Sequence, residues 1–174
     1  METPETAKKA FDTVLEMFQQ RGYEISEQDD ERILAMKPDS TYICAFVPRI
    51  CTKFNVDQLQ HFLSMTKQMG LAHCLIVYKD SATAPARKIV DLVPDIKIEL
   101  FLEDELQYNP TKHILVPEHV LYAKKGTKKA KQQDWSAYPV ISRLDPISRF
   151  LGFERGDIIK ITRHNGLVIF RVVK

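Results

Sequence analysis

An α/β domain followed by a small α+β domain is the fold this sequence predicts, and three observations carry that expectation. Runs rich in β-branched and aromatic residues at 41–47 (TYICAFV), 72–78 (AHCLIVY) and 96–101 (IKIELF) alternate with helical stretches, the pattern of an α/β layer. Residues 157–163 (DIIKITR) and 167–173 (LVIFRVV) flank Asn165-Gly166, a strong short-range hairpin signal. Between these regions the composition changes: 121–133 holds Lys124, Lys125, Lys128, Lys129 and Lys131 and no acidic residue. The expected domains are therefore 1–107, three-layer-like with strands alternating with helices, and 108–174, with 121–137 as a lysine-rich connecting segment, read as a solvated linker with a nucleic-acid-facing or import-signal role as the alternative.

Taken in order, Thr3-Pro4 marks a helix start with proline at its first position. Ala7, Ala10, Phe11, Val14, Leu15 and Phe18 then recur at helical spacing, and Gly22 of Arg21-Gly22-Tyr23 is placed to cap the end. Ser26, with acidic residues behind it, predicts a second, shorter helix through Met36, closed by Pro38. Asn55 is an N-cap for a helix carrying Leu59, Phe62, Leu63 and Met69, with Gly70 as its stop. The run 72–78 is nearly all apolar, so it reads as a strand covered on both faces. Pro85 opens a helix to about Leu92. Further on, Asp145-Pro146 is an N-cap and N1 pair, Ile147, Phe150 and Leu151 form a short apolar stripe, Gly152 ends it, and Gly156 turns the chain.

Composition excludes several classes. Apolar residues make up 44% and charged residues 28%, ordinary for a soluble globular protein with a core. No apolar run approaches the roughly 18 residues of a membrane span. The start Met1-Glu2-Thr3-Pro4-Glu5 is acidic and polar, unlike a secretory signal. Three cysteines, Cys44, Cys51 and Cys74, lack close pairs and fit a reducing compartment better than a disulfide framework. A net charge of +2 does not make a free-standing DNA binder by charge alone, although a local basic patch can still act.

Catalytic chemistry finds little support. His113 and His119 flank a segment broken by Pro117, and their spacing does not place two ligands on one helix face. The cysteines lack zinc spacing, and Cys74 lies mid-strand, where an inert thiol is expected. There is no Gly-x-Ser-x-Gly elbow, and the scattered glycines make no phosphate loop. Pro38-Asp39 with Asp95-Ile96-Lys97 is the one nuclease-like combination, two carboxylates for Mg²⁺ and a lysine beside the phosphate, but such short matches arise by chance. Glu99, Glu103, Asp104 and Glu105 read as a solvated edge. No metal and no other cofactor is expected.

The remaining motifs form an ordered pattern. Asn109 to Val120 (NPTKHILVPEHV), Tyr138-Pro139-Val140-Ile141 and Asp145 to Arg163 (DPISRFLGFERGDIIKITR) resemble the conserved domain of a small RNA polymerase subunit family. Its members are the archaeal H-type subunit and its relative, the fifth subunit common to eukaryotic RNA polymerases I, II and III. Arg21-Gly22-Tyr23, Leu75-Ile76-Val77, Ala84-Pro85 and Glu99-Leu100-Phe101 are similar, in order, to motifs of the eukaryotic N-terminal jaw domain. Three departures stand out, the first a jaw shorter than the usual eukaryotic one. The family's Thr-Pro is Ala84-Pro85 here, with Thr83 one place early, and the lysine-rich stretch replaces a short amphipathic helix.

The resemblance implies a non-catalytic subunit of a multisubunit DNA-dependent RNA polymerase. Its 1–107 part would be the jaw, lying near downstream duplex DNA through Thr83, Ala84, Pro85, Arg87 and Lys88. Its 108–174 part would be the assembly domain, docking on the largest subunit through Arg143, Asp145, Pro146, Arg149, Arg155, Lys160 and Arg163, with other polymerase subunits as further partners. His113, Pro117, His119, Pro139, Gly152 and Gly156, with Ile141 and Phe150, would be structural. No membrane or small-molecule partner is implied. The setting would be the nucleus for a cellular protein, or host cytoplasm and virion for a compact homologue from a large DNA virus. A Mg²⁺-dependent nuclease and a free nucleic-acid-binding protein are the competing readings.

Overall fold

The computed structural model describes residues 5–48 and 53–174, so the Thr3-Pro4 helix start and Cys51 lie outside it. The chain divides into two compact units, Met1–Tyr108 and Asn109–Lys174.

The first unit is built on a five-stranded mixed sheet. Its elements run α1 (Glu5–Gln20), β1 (Glu24–Gln28), β2 (Arg32–Met36), β3 (Tyr42–Phe46), β4 (Lys53–Phe54), α2 (Val56–Gln68), β5 (His73–Tyr78), β6 (Ser81–Ala82), α3 (Ala84–Leu92) and β7 (Lys97–Leu102), then a 3₁₀ turn at Glu103–Leu106. The strand order is β1-β2-β3-β5-β7, antiparallel from β1 to β3 and parallel from β3 to β7, while β4 and β6 form a separate short parallel pair. The parallel half follows from its two crossovers. A strand that must run in the same direction as its neighbour needs a long connection, and α2 and α3 supply it. Cys44, Phe46, Cys74 and Ile76 form one buried cluster with Leu59 and Leu63 of α2 and Ala86 of α3. The alternate residues Ile43, Ala45, Leu75 and Val77 point to the other face and are equally buried. Both faces are therefore covered, as the apolar run 72–78 requires. α1 buries Ala7, Ala10, Val14, Met17 and Phe18 along one stripe.

Local chemistry sets the helix boundaries. Asn55 accepts from Gln58 N at 2.9 Å while Gln58 Oε1 accepts from Asn55 N at 3.2 Å, a reciprocal capping box. Gly22 ends α1 at φ +77°, where Tyr23 N bonds Phe18 O and Gly22 N bonds Gln19 O. A side chain at that backbone angle is strained, so glycine suits it.

One expected helix is absent. Residues 24–36 form the β1–β2 hairpin, with a register irregularity between Ile25 and Glu27, around the Ser26 that reads in the sequence as a helix start. The acidic residues belong to the turn: Asp29 Oδ1 accepts from Glu31 N at 3.0 Å and Arg32 N at 2.8 Å. This side-chain-to-backbone pairing competes with helix initiation. Burial along β2 then alternates, with Ile33 and Ala35 inside, a period of two rather than 3.6.

The second unit holds a 3₁₀ turn (Pro110–Lys112), β8 (Glu118–Ala123), α4 (Lys128–Lys131), β9 (Val140–Ile141), α5 (Pro146–Leu151), β10 (Ile158–Thr162) and β11 (Val168–Val173). The sheet order is β8-β10-β11-β9, with β9 parallel to β11 and the other pairs antiparallel. Ile141, Phe153, Ile159, Ile161 and Val173 make its core, with Leu151 and Ile169 against it. The β10–β11 turn carries positive φ at Gly166 but not at Asn165. Gly166 N bonds Arg163 O and Arg163 N bonds Leu167 O, so the hairpin uses a longer turn with one left-handed glycine instead of a two-residue Asn-Gly turn. Within the lysine-rich stretch, 121–123 belong to β8 and 128–131 form the short helix α4, while most of its residues are exposed.

Candidate partner and nucleic-acid surfaces

The expected DNA-side residues lie at the start of α3. Thr83 is its N-cap, and its hydroxyl accepts from Ala86 N at 3.4 Å, so the threonine one place early is used to begin the helix. Ala84, Pro85, Arg87 and Lys88 are exposed, and Arg87 reaches the Tyr78 hydroxyl at 3.5 Å. Two cations therefore sit near the start of a nine-residue helix with no acidic residue in its first turn.

The seven expected partner residues do not share one face. Arg143 and Pro146 are exposed beside the N-terminus of α5, and Asp145 caps that helix by accepting from Ile147 N at 2.9 Å and Ser148 N at 3.4 Å. Arg149 is half-buried on α5, and Arg155 is exposed in the following turn. Leu151 and Phe153 pack against Ile159 and Ile161, so this region lies on the Ile159/Ile161 side of the sheet. Lys160 alternates to the opposite face, in register with Phe170 and Val120, and Arg163 is exposed at the hairpin turn.

The motif residues have local tasks. Asp157 is buried, and its carboxylate accepts from Lys125 N at 3.0 Å and Glu154 N at 2.9 Å. Gly156 has φ +93°, and a Cβ there would approach Lys125 Cδ to 2.7 Å. Gly152 takes φ +70° as the left-handed end of α5. Pro139 O accepts from Val172 N, tying the segment before β9 to the sheet. His119 Nδ1 lies 2.7 Å from Pro117 O, while His113 Nδ1 accepts from Leu115 N at 3.2 Å.

Among the described residues, no metal or nucleophile centre emerges, and no three His, Cys, Asp or Glu side chains gather to hold a metal. Cys44 and Cys74 are register partners on β3 and β5, both buried, and burial pushes their thiols up to about 12 and about 11. Such thiols are not poised as nucleophiles. Asp39 lies in the turn before β3, its Oδ1 accepting from Thr41 N at 3.0 Å, and Asp95 precedes β7. β5 lies between β3 and β7, so the strands that the two aspartates precede are not neighbours.

Sequence reasoning missed the buried ionic site of the first unit. Arg21 Nη1 and Nη2 donate to Glu99 Oε1 and Oε2 at 2.9 and 2.7 Å, and His73 Nε2 lies 2.7 Å from Glu99 Oε1. The Arg21, Glu99 and His73 side chains are 4%, 14% and 13% exposed. Burial pushes the Glu99 carboxyl up, but Arg21 and His73 outweigh it and hold it well below the usual carboxylate range. The expected solvated edge is therefore wrong at Glu99 and also at Glu103, which is buried. Arg21-Gly22-Tyr23 and Glu99-Leu100-Phe101 both stand out as motifs, but nothing in one sequence couples positions 78 apart.

Known proteins match the second unit, and some are similar over most of the chain. Residues 108–173 match the family model described as RNA polymerase Rpb5, C-terminal domain. The chain resembles the Rpb5-like family, by its second unit above all. Its relatives include the DNA-directed RNA polymerases I, II, and III subunit RPABC1 of Caenorhabditis briggsae, 29% identical over 87% of this chain and 85% of the relative. The putative DNA-directed RNA polymerase subunit 454R of Invertebrate iridescent virus 6 is 26% identical, covering 95% of this chain and 98% of the relative. The RPABC1 subunit of Caenorhabditis elegans is 31% identical over 64% of this chain and 54% of its own length. The Rpb5 domain match coincides with the second unit, while the first and second relatives extend over most of the chain.

Proposed function

We propose that this chain is a non-catalytic subunit of a multisubunit DNA-dependent RNA polymerase. The observation that carries the reading is the Rpb5 C-terminal domain at 108–173, joined to similarity over most of the chain with polymerase subunits of an animal and a virus. The second unit is the assembly module, docking on the largest subunit. Its support is the run at the start of α5, where Arg143, Asp145, Pro146 and Arg149 lie close together in the chain, with Arg155 following. The first unit is the jaw, facing downstream duplex DNA through the start of α3. Exposed Arg87 and Lys88 supply phosphate contacts there, next to helix amides that favour anions. The setting is the nucleus for a cellular enzyme, or the host cytoplasm and virion for a viral one.

The test is co-purification. The full chain should capture the largest polymerase subunit, and Arg143→Glu with Arg149→Glu should abolish capture while the fold is kept. Capture unaffected by both changes would move the docking surface elsewhere. For the jaw, Arg87→Ala with Lys88→Ala in the reconstituted enzyme should reduce downstream-duplex crosslinking without loss of assembly. The nuclease reading requires Mg²⁺-dependent cleavage abolished by Asp95→Ala.

A further inference from the structure

The lysine-rich segment is folded onto the second unit, and that changes what it can do. Thr127 N bonds Lys124 O at 3.1 Å across a turn with Gly126 at φ +83°, and the Thr127 hydroxyl donates to the same oxygen at 2.7 Å. Thr127 Oγ1 in turn accepts from Ala130 N at 3.3 Å, capping α4. Two further bonds pin this turn: Lys125 N to buried Asp157 at 3.0 Å, and Trp135 Nε1 to Ala130 O at 2.9 Å. The Trp135 ring packs with Tyr138 at 4.8 Å and Phe170 at 5.7 Å between centroids.

This framework sorts the five lysines. The Lys129 ammonium lies 3.7 Å from the Tyr122 ring centroid, and the Lys125 stem runs beside Gly156. Those two are held against the unit. Lys124, Lys128 and Lys131 are exposed, and among the described residues no carboxylate pairs with any of the three. Lys128 and Lys131 are three apart on one helical turn, so they project from one side.

We propose that Lys124, Lys128 and Lys131 form a binding surface for the phosphodiester backbone of a nucleic acid, one that does not read sequence. Several unpaired lysines on an ordered support gain most from a ligand of high linear charge, because each contact releases a condensed counterion. Duplex DNA carries about one charge per 1.7 Å, more than an acidic peptide segment presents. Lysine is a point-charge donor that positions a phosphate without specifying a base. Trp135, the one tryptophan, is packed into the ring cluster and so is not free to anchor the segment in a membrane. The residues are distinct from Arg87 and Lys88, and the proposal does not depend on polymerase assembly.

The experiment is fluorescence anisotropy of the full chain with labelled duplex DNA, single-stranded DNA and RNA across a salt series. Three contacts give a log–log salt slope of about −2.7, so affinity should fall roughly 40-fold between about 50 and about 200 mM salt. Replacing Lys124, Lys128 and Lys131 together with Gln should remove most of that slope while leaving Trp135 emission and capture of the largest subunit unchanged. Lys67→Gln, an exposed lysine in the first unit, should change the slope by at most about one contact. The tightest-bound arm names the source of the phosphate. A wild-type slope in the triple variant overturns the proposal, as does equal displacement by poly-glutamate of matched charge.

Discussion

Glu99 in the first unit and Asp145 and Asp157 in the second are satisfied by opposite means. In the first, Glu99 is neutralised by side chains from distant parts of the chain, Arg21 after α1 and His73 at the start of β5. In the second, Asp145 and Asp157 are satisfied by backbone N–H groups, mostly from near neighbours in the chain. A layered sheet covered on both faces leaves little water for a charged group, so a full counter-charge must come with it. The small second unit has a short core, and its carboxylates instead fasten turns around it. Long-range pairing makes the first unit sensitive to one missing partner, while local pairing spreads the cost over several turns.

Removing a partner puts this contrast under the greatest load. Glu99→Ala leaves the Arg21 guanidinium buried without its carboxylate, and should destabilise the first unit by about 3–5 kcal/mol. Amide hydrogen exchange in β5 and β7 measures it, and the single tryptophan, Trp135, reports the second unit separately in the same sample. Equal losses in both units would mean that the ionic site is not confined to the first.

The same site sets an acid limit. A carboxyl held below its unfolded value contributes stability that is fully present above the unfolded value and is lost as pH falls through the folded one. First-unit stability should thus be flat from neutral pH down to about 5 and decline below about 4.5, and Glu99→Gln should flatten that decline. Unfolding midpoints collected against pH check the sign.

Smaller effects belong to the second unit. Asp157→Ala leaves the N–H groups of Lys125 and Glu154 without their acceptor, at a cost of about 2 kcal/mol, read from Trp135 emission during denaturant unfolding. Gly156→Ala should cost less, about 1 kcal/mol, because φ +93° strains an alanine while the Lys125 side chain can move aside. If Gly156→Ala proved worse than Asp157→Ala, the turn's backbone rather than its carboxylate would be what fastens this unit.

Legibility follows the range of the interactions. Asn55, Gly22, Asp145 and Gly152 announce helix ends because a cap satisfies its own neighbours, and the structure places each at that task. The stretch 24–36 misleads because Asp29 and the residues behind Ser26 serve a helix start and a tight turn equally well. Pairing of β2 with β3 is what settles it. β8 escapes detection since its sequence, EHVLYA, becomes a strand by pairing with β10.

Short-range patterns of apolar residues, caps and turns are enough to establish the α/β character of the first unit, the β10–β11 hairpin and the family resemblance. Other features are visible solely in the folded molecule: Arg21, His73 and Glu99 meet, Lys160 faces away from Ile159 and Ile161, and the lysine segment is folded onto a ring cluster. The division is physical. A cap is satisfied within a few residues, whereas a buried ion pair or a shared surface exists only after chain closure brings remote positions together.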